Sequence, residues 1–209
     1  ILSANFPLAT YPLAALCLHT EFSPLPGLTF RESLYNGVAS DRINRQFRFC
    51  PRSDGMFNIG SLSYHIGEED RHHGYYAVGY ALGSSPSETS ADKTFNYALW
   101  TLIEQPLLHV GESHLGAMWQ GGTSPASRST CRHYWGAGLI WSNIPPQMTQ
   151  VGLVVNRALY ADGRETDVEL TGSFPVCNHF TLQPAVHCIN TNGNYTAAAQ
   201  LRAILEFGN

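Results

Sequence analysis

The stretch AAAQLRAILEF, Ala197 to Phe207, puts Leu201, Ala203, Leu205 and Phe207 on one face of an extended chain and Gln200, Arg202, Ile204 and Glu206 on the other. Alternation with period two is the signature of a strand. One apolar face and a final aromatic are the expected close of an outer-membrane β-barrel wall.

The same pattern recurs upstream. Eleven segments of about ten residues, the length a tilted strand needs to cross a bilayer, are expected near 13–22, 28–38, 55–65, 73–83, 95–104, 112–120, 132–142, 148–159, 166–174, 179–189 and 197–207. Helical periodicity is nowhere sustained. In the second half Trp135, Ala137, Leu139 and Trp141 oppose Tyr134, Gly136, Gly138 and Ile140, while Val168, Leu170 and Phe174 oppose Asp167, Glu169, Thr171 and Ser173. Phe180, Leu182, Val186 and Cys188 likewise oppose His179, Thr181, Gln183 and His187. A greasy face is the core of a soluble sandwich or the lipid side of a membrane barrel. Trp100, Trp119, Trp135, Trp141, Tyr76 and Tyr80 suit interfacial girdles, and would equally fill a sandwich core.

The connections favour the barrel. Short links are expected at Pro24–Gly27, Gly67–His72, Gln105–Gly111, Asn143–Gln147 and Pro175–Asn178, alternating with mostly longer polar ones at Ala39–Asp54, Ser84–Thr94, Gly121–Cys131, Ala161–Glu165 and Asn190–Thr196. Turns on one rim and loops on the other is the layout of outer-membrane barrels. With turns on the periplasmic side, the last strand ends there and the first runs inward from outside. Single-chain bacterial barrels have even strand numbers. The expectation is therefore one domain over 1–209, an all-β antiparallel transmembrane barrel lacking amino-terminal strands.

Composition agrees. The chain is 44% hydrophobic but only 13% charged, about half the ~25% of an ordinary soluble domain. No apolar run approaches the roughly 20 residues of a spanning helix. A net charge of -4, with basic residues spaced singly, offers no stripe for a phosphate backbone and argues against nucleic acid. The five cysteines, Cys17, Cys50, Cys131, Cys177 and Cys188, are odd in number and include no C-x-x-C. A loop pair such as Cys50 with Cys131 is one option and isolated thiols the other.

At ETDVELTGSFPVCNHFTLQPAVHCIN, Glu165 to Asn190, the chain resembles the carbohydrate-selective porins, the OprB family of bacterial outer membranes. Glu165-Thr166, Glu169-Leu170, Leu182-Gln183-Pro184 and Ile189-Asn190 stand where that family carries its late hairpin. Weaker agreement continues through Tyr134–Pro146, Ile103–Leu108 and Pro24–Gly37. The resemblance implies the second half of a barrel of roughly sixteen strands. It departs at Ala185, where an acidic residue is expected, and in its cysteines.

On the inferred polar faces lie His19 and Glu21, Arg31 and Tyr35, Glu104, Asp167 and Glu169, Gln183 and His187, and Arg202 and Glu206. Carboxylates, amides and guanidinium groups facing a wet lumen can exchange hydrogen bonds with sugar hydroxyls, and an aromatic ring can meet a pyranose face. The same groups serve equally to solvate a wall. The run GEEDRHHG, Gly67 to Gly74, concentrates carboxylates and imidazoles, but neighbours on a short link rarely converge on a metal, so a solvated turn is expected. There is no G-x-S-x-G and no H-E-x-x-H; Ser113 beside His114 is the nearest approach to a catalytic pair. The expectation is a passive channel for sugars or similar small hydrophilic solutes, surrounded by outer-membrane lipid, with no enzyme activity and no cofactor. A homo-oligomer or a further barrel half would complete it. The alternative is a soluble β-sandwich that binds carbohydrate.

Overall fold

The structure, a computed structural model, describes residues 14–38, 40, 42–67, 74–86, 93–125, 129–147 and 149–206. Phe207 and the 68–73 part of the acidic, histidine-rich turn lie outside the described residues. Eleven strands follow one another: β1 Cys17–Leu25, β2 Leu28–Asn36, β3 Met56–Ile66, β4 Gly74–Pro86, β5 Lys93–Val110, β6 Ser113–Thr123, β7 Cys131–Ile144, β8 Thr149–Tyr160, β9 Arg164–Cys177, β10 Phe180–Thr191 and β11 Asn194–Leu205. Two single-turn helices, α1 Ile43–Gln46 and α2 Pro51–Asp54, sit in the link between β2 and β3. Each strand pairs antiparallel with its neighbours in sequence, giving one sheet in the order β1 to β11. This is the up-and-down barrel wall that the alternation implied. No second sheet packs on it among the described residues, so the sandwich alternative fails.

The register sorts the side chains cleanly. Leu18, Phe30, Leu62, Val78, Thr101, Leu139, Leu153, Leu170, Val186 and Leu201 lie on one face. Leu18 is 66% exposed, Val78 and Val186 55%, Leu170 54% and Leu201 68%. The other face is crowded: Ser33, Phe57, Ser63, Ala77, Ala81, Ala98, Ala158 and Ala185 are all buried there. Curving a sheet compresses side chains on its inner side and spreads them on its outer side. The crowded face is therefore the inner one, and the outer face is a bare apolar surface of the kind lipid covers.

Tight turns hold the register. Gly27, at φ +78, follows Pro26, and His65 donates its N–H to the Gly27 carbonyl at 2.8 Å. Asn192 and Gly193, at φ +54 and +95, form the two-residue connection from β10 to β11. Two positive φ values in sequence match the right-handed twist of a hairpin, which is why Asn-Gly stands there.

Several expectations need correction. The short link expected at Gln105–Gly111 shrinks to 111–112: β5 continues to Val110, because a bulge between Pro106 and Leu108 accommodates the missing N–H of Pro106. The links at Ala161–Glu165 and Asn190–Thr196 shrink to residues 161–163 and 192–193, since β9, β10 and β11 all extend further toward that rim. The contrast between long and short rims thus fades toward the carboxy terminus. Trp100 leaves the girdle set: it lies on the inner face directly opposite Gly79, while Tyr76, Tyr80, Trp119, Trp135 and Trp141 share the outer face. β1 and β11 do not pair with each other among the described residues, so both are edges of an open sheet. Cys50 and Cys131 form no disulfide; all five cysteines are thiols.

The Trp100 ring covers the space a Cβ at Gly79 would occupy. A Gly79→Val change should displace it and cost about 1–3 kcal/mol, the usual range for overpacking. A lower urea midpoint for detergent-folded protein would register the loss. Gly116→Ala, whose Cβ would meet nothing closer than 3.7 Å, should stay within about 0.5 kcal/mol of the parent.

Candidate functional site

Two polar groupings mark the inner face. On β1 to β3, Arg31 stands directly opposite Glu21 and donates from Nε to Glu21 Oε2 at 2.7 Å, with a second bond from a terminal nitrogen to Ser63 Oγ at 3.3 Å. His19 Nδ1 lies 2.7 Å from Ser33 Oγ. Tyr35 shares this face, but its ring packs on Phe57 at 5.8 Å against the buried Ala81 and Ala98. It serves packing rather than presenting an open platform.

The second grouping is a belt across β6 to β10. Gln120 Nε2 donates to Tyr134 Oη at 2.6 Å, and that hydroxyl donates to Asn156 Oδ1 at 2.8 Å. Asn156 lies directly opposite Asp167 on the next strand, and His187 Nδ1 is 3.2 Å from Asp167 Oδ2. Glu169, two residues along from Asp167, lies directly opposite His187. Asp167, Glu169 and His187 bring one ligand atom each to within 4.8 Å of one another. The alternation exposed the common face of these three but not their convergence, which the β9–β10 register creates.

The remaining expected residues stand apart. Gln183 donates to Ser173 Oγ at 3.4 Å and faces Arg202 across the β10–β11 pair. A shallow depression of about 220 Å³, lined in part by Gln150, Thr171, Ser173 and Gln183, opens beside it. Glu104 sits opposite Tyr75 and Met118, exposed, and joins neither group. Glu206 follows the last strand, its backbone N–H bonded to the His179 carbonyl. Ser113 and His114, adjacent on β6, project to opposite sides of the sheet, and Ser113 Oγ donates to the Asn143 carbonyl at 2.9 Å. They make no catalytic dyad.

Three features escaped the sequence reading. Gln120, Tyr134 and Asn156 extend the belt; each is one step out of phase with an outward neighbour, Trp119, Trp135 or Val155, and that parity was the available signal. Glu32 lies on the mainly apolar outer face, where Asn58 and Tyr80 donate to its carboxylate, Tyr80 at 3.0 and 3.1 Å. Its parity with Phe30 and Leu34 could have placed it. Finally, Arg42, Arg45, Arg48 and Arg52 are exposed together on the link between β2 and β3. Asn36 and Asp54 anchor that link through a 3.0 Å buried hydrogen bond, and Arg48 pairs with Asp54 at 3.0 Å. Cys50, and then Asp54, hold the Arg48 guanidinium above its ordinary pKa, so it is a fixed cation.

No family model matches the chain, and no curated protein matches it in sequence. Its structure is similar to that of OprB from Pseudomonas putida, solved at high pH, with a TM-score of 0.72 and 13% identity over 93% of this chain and 58% of that one. The chain thus spans less than two thirds of the structure it matches. The likeness is one of fold, and it bears out in architecture the resemblance carried by the Glu165–Asn190 hairpin: the eleven strands are built as the wall of an OprB-like barrel.

Proposed function

We propose that the chain forms part of an outer-membrane porin through which carbohydrates or other small hydrophilic solutes diffuse passively. The observation supporting this reading is the segregation of the wall, with a hydrogen-bonded polar belt on the inner face and bare aliphatic side chains on the outer. In a water-filled lumen the Gln120, Tyr134, Asn156, Asp167 and His187 side chains offer donors and acceptors side by side across five strands. A sugar hydroxyl can trade one partner for the next without leaving the wall. Conduction needs contacts that are weak and multiple rather than tight. The depression beside Gln183, at about 220 Å³, falls below the roughly 300–1,000 Å³ of pockets that enclose a ligand. It suits passing contact. Glu21 with Arg31, and Gln183 with Arg202, add charged and amide groups nearer the two edges. No cofactor and no catalytic step enter this reading.

The two sheet edges require completion. Unpaired N–H and C=O groups in hydrocarbon cost several kcal/mol each, so β1 and β11 need further strands, from the same polypeptide or a second copy, to close the ring.

Liposomes carrying the closed barrel should swell in isotonic sugar solutions, more slowly as sugar size increases; swelling no faster than in protein-free liposomes would refute the channel. In planar bilayers under a salt gradient, the double variant Asp167→Asn, Glu169→Gln should shift the reversal potential toward anion preference, because two lumen carboxylates are lost. An unchanged potential would remove this belt from the conduction path.

A further inference from the structure

We propose that Asp167, Glu169 and His187 form a divalent-cation site on the inner face of β9 and β10. The three donors come from a fixed register. Asp167 and Glu169 are two residues apart on β9 and so share a face, and His187 on β10 lies directly opposite Glu169. One ligand atom from each falls within 4.8 Å of the others. That spacing needs only rotamer adjustment to converge on one ion.

The present partners leave the group incomplete. His187 Nδ1 meets Asp167 Oδ2 at 3.2 Å, while Asp167 Oδ1 is buried with no hydrogen-bond partner. Among the described residues neither carboxylate pairs with Lys or Arg, and the neighbouring Asn156 Oδ1 is taken by Tyr134. A buried carboxylate oxygen without a donor is costly. The imidazole meets Oδ2 alone and leaves the buried oxygen bare. A divalent ion answers both the carboxylate charge and the bare oxygen at once. One imidazole with two carboxylates favours a first-row transition ion such as Zn²⁺ over Mg²⁺ or Ca²⁺, which prefer oxygen alone. The remaining coordination positions would face the water of the inner side. The proposal requires that this face be wet; it does not require that sugars pass along it.

The test is equilibrium dialysis of detergent-folded protein against Zn²⁺, with folding checked by heat-dependent gel mobility. The background variant His72→Gln, His73→Gln removes the two consecutive histidines of the GEEDRHHG stretch. In that background one Zn²⁺ per chain should bind. Asp167→Asn and His187→Gln should each weaken it by at least the roughly 10- to 100-fold seen when even a supporting residue of a metal site is lost. Glu21→Gln, on distant β1, should leave binding unchanged. Equal binding in all variants, or none by the folded background protein, overturns the site. Sugar-driven swelling measured without Zn²⁺ tests the channel separately, so a failure of one leaves the other intact.

Discussion

The demand for backbone partners governs this structure. A peptide group in hydrocarbon has no water to bond, so each strand must find its neighbours along its whole length. That demand explains why β5 carries Pro106 through on a bulge rather than stopping at it, and why β1 to β11 make one unbroken sheet. Everything else is arranged on that lattice. Once register is set, each residue's face is set too, because a shift of one position would turn every side chain over.

The two faces then solve different problems. Outside, Leu, Val and Phe side chains stand free, and the stacked Trp119 and Trp135, with ring centroids 5.9 Å apart, lie among them. Inside, curvature crowds the wall, and small residues answer it: Ala77, Ala81, Ala98, Ala158 and Ala185 are buried there, and Trp100 lies over Gly79. The belt from Gln120 to His187 fits into the same crowded surface because Gly136, between Gln120 and Asn156, leaves their side chains room to approach. Glu32 is a carboxylate on the outer face, and it keeps its partners with it in Asn58 and Tyr80.

Strand number and facing were legible because period-two alternation is a local property of the chain. Leu201 and Arg202 declare opposite sides without reference to anything else. What was not legible depends on pairing. That His187 meets Glu169 follows from the two-residue β9–β10 turn together with the bulge between Phe180 and Thr181, and a shift of two residues would have kept every face yet separated the pair. Trp100 was misplaced for a related reason: an aromatic in an alternating segment looks outward-facing until the glycine opposite it is known. Arg31 and Glu21 were both read as inner-face residues, but their ion pair likewise needed the β1–β2 register.

The strictly sequential pairing also shapes how the wall can assemble. Every strand hydrogen-bonds only to those just before and after it in the chain, so each new hairpin closes a short loop, at a modest entropic cost that grows only slowly with loop length. Growth can therefore proceed by accretion, each finished strand serving as the template for the next. Two-residue turns occur at 26–27, 111–112, 178–179 and 192–193, and the last two come in succession, joining β9, β10 and β11. That hairpin triplet has the least chain to order before its contacts form, which makes the carboxy-terminal end the natural place for nucleation to begin.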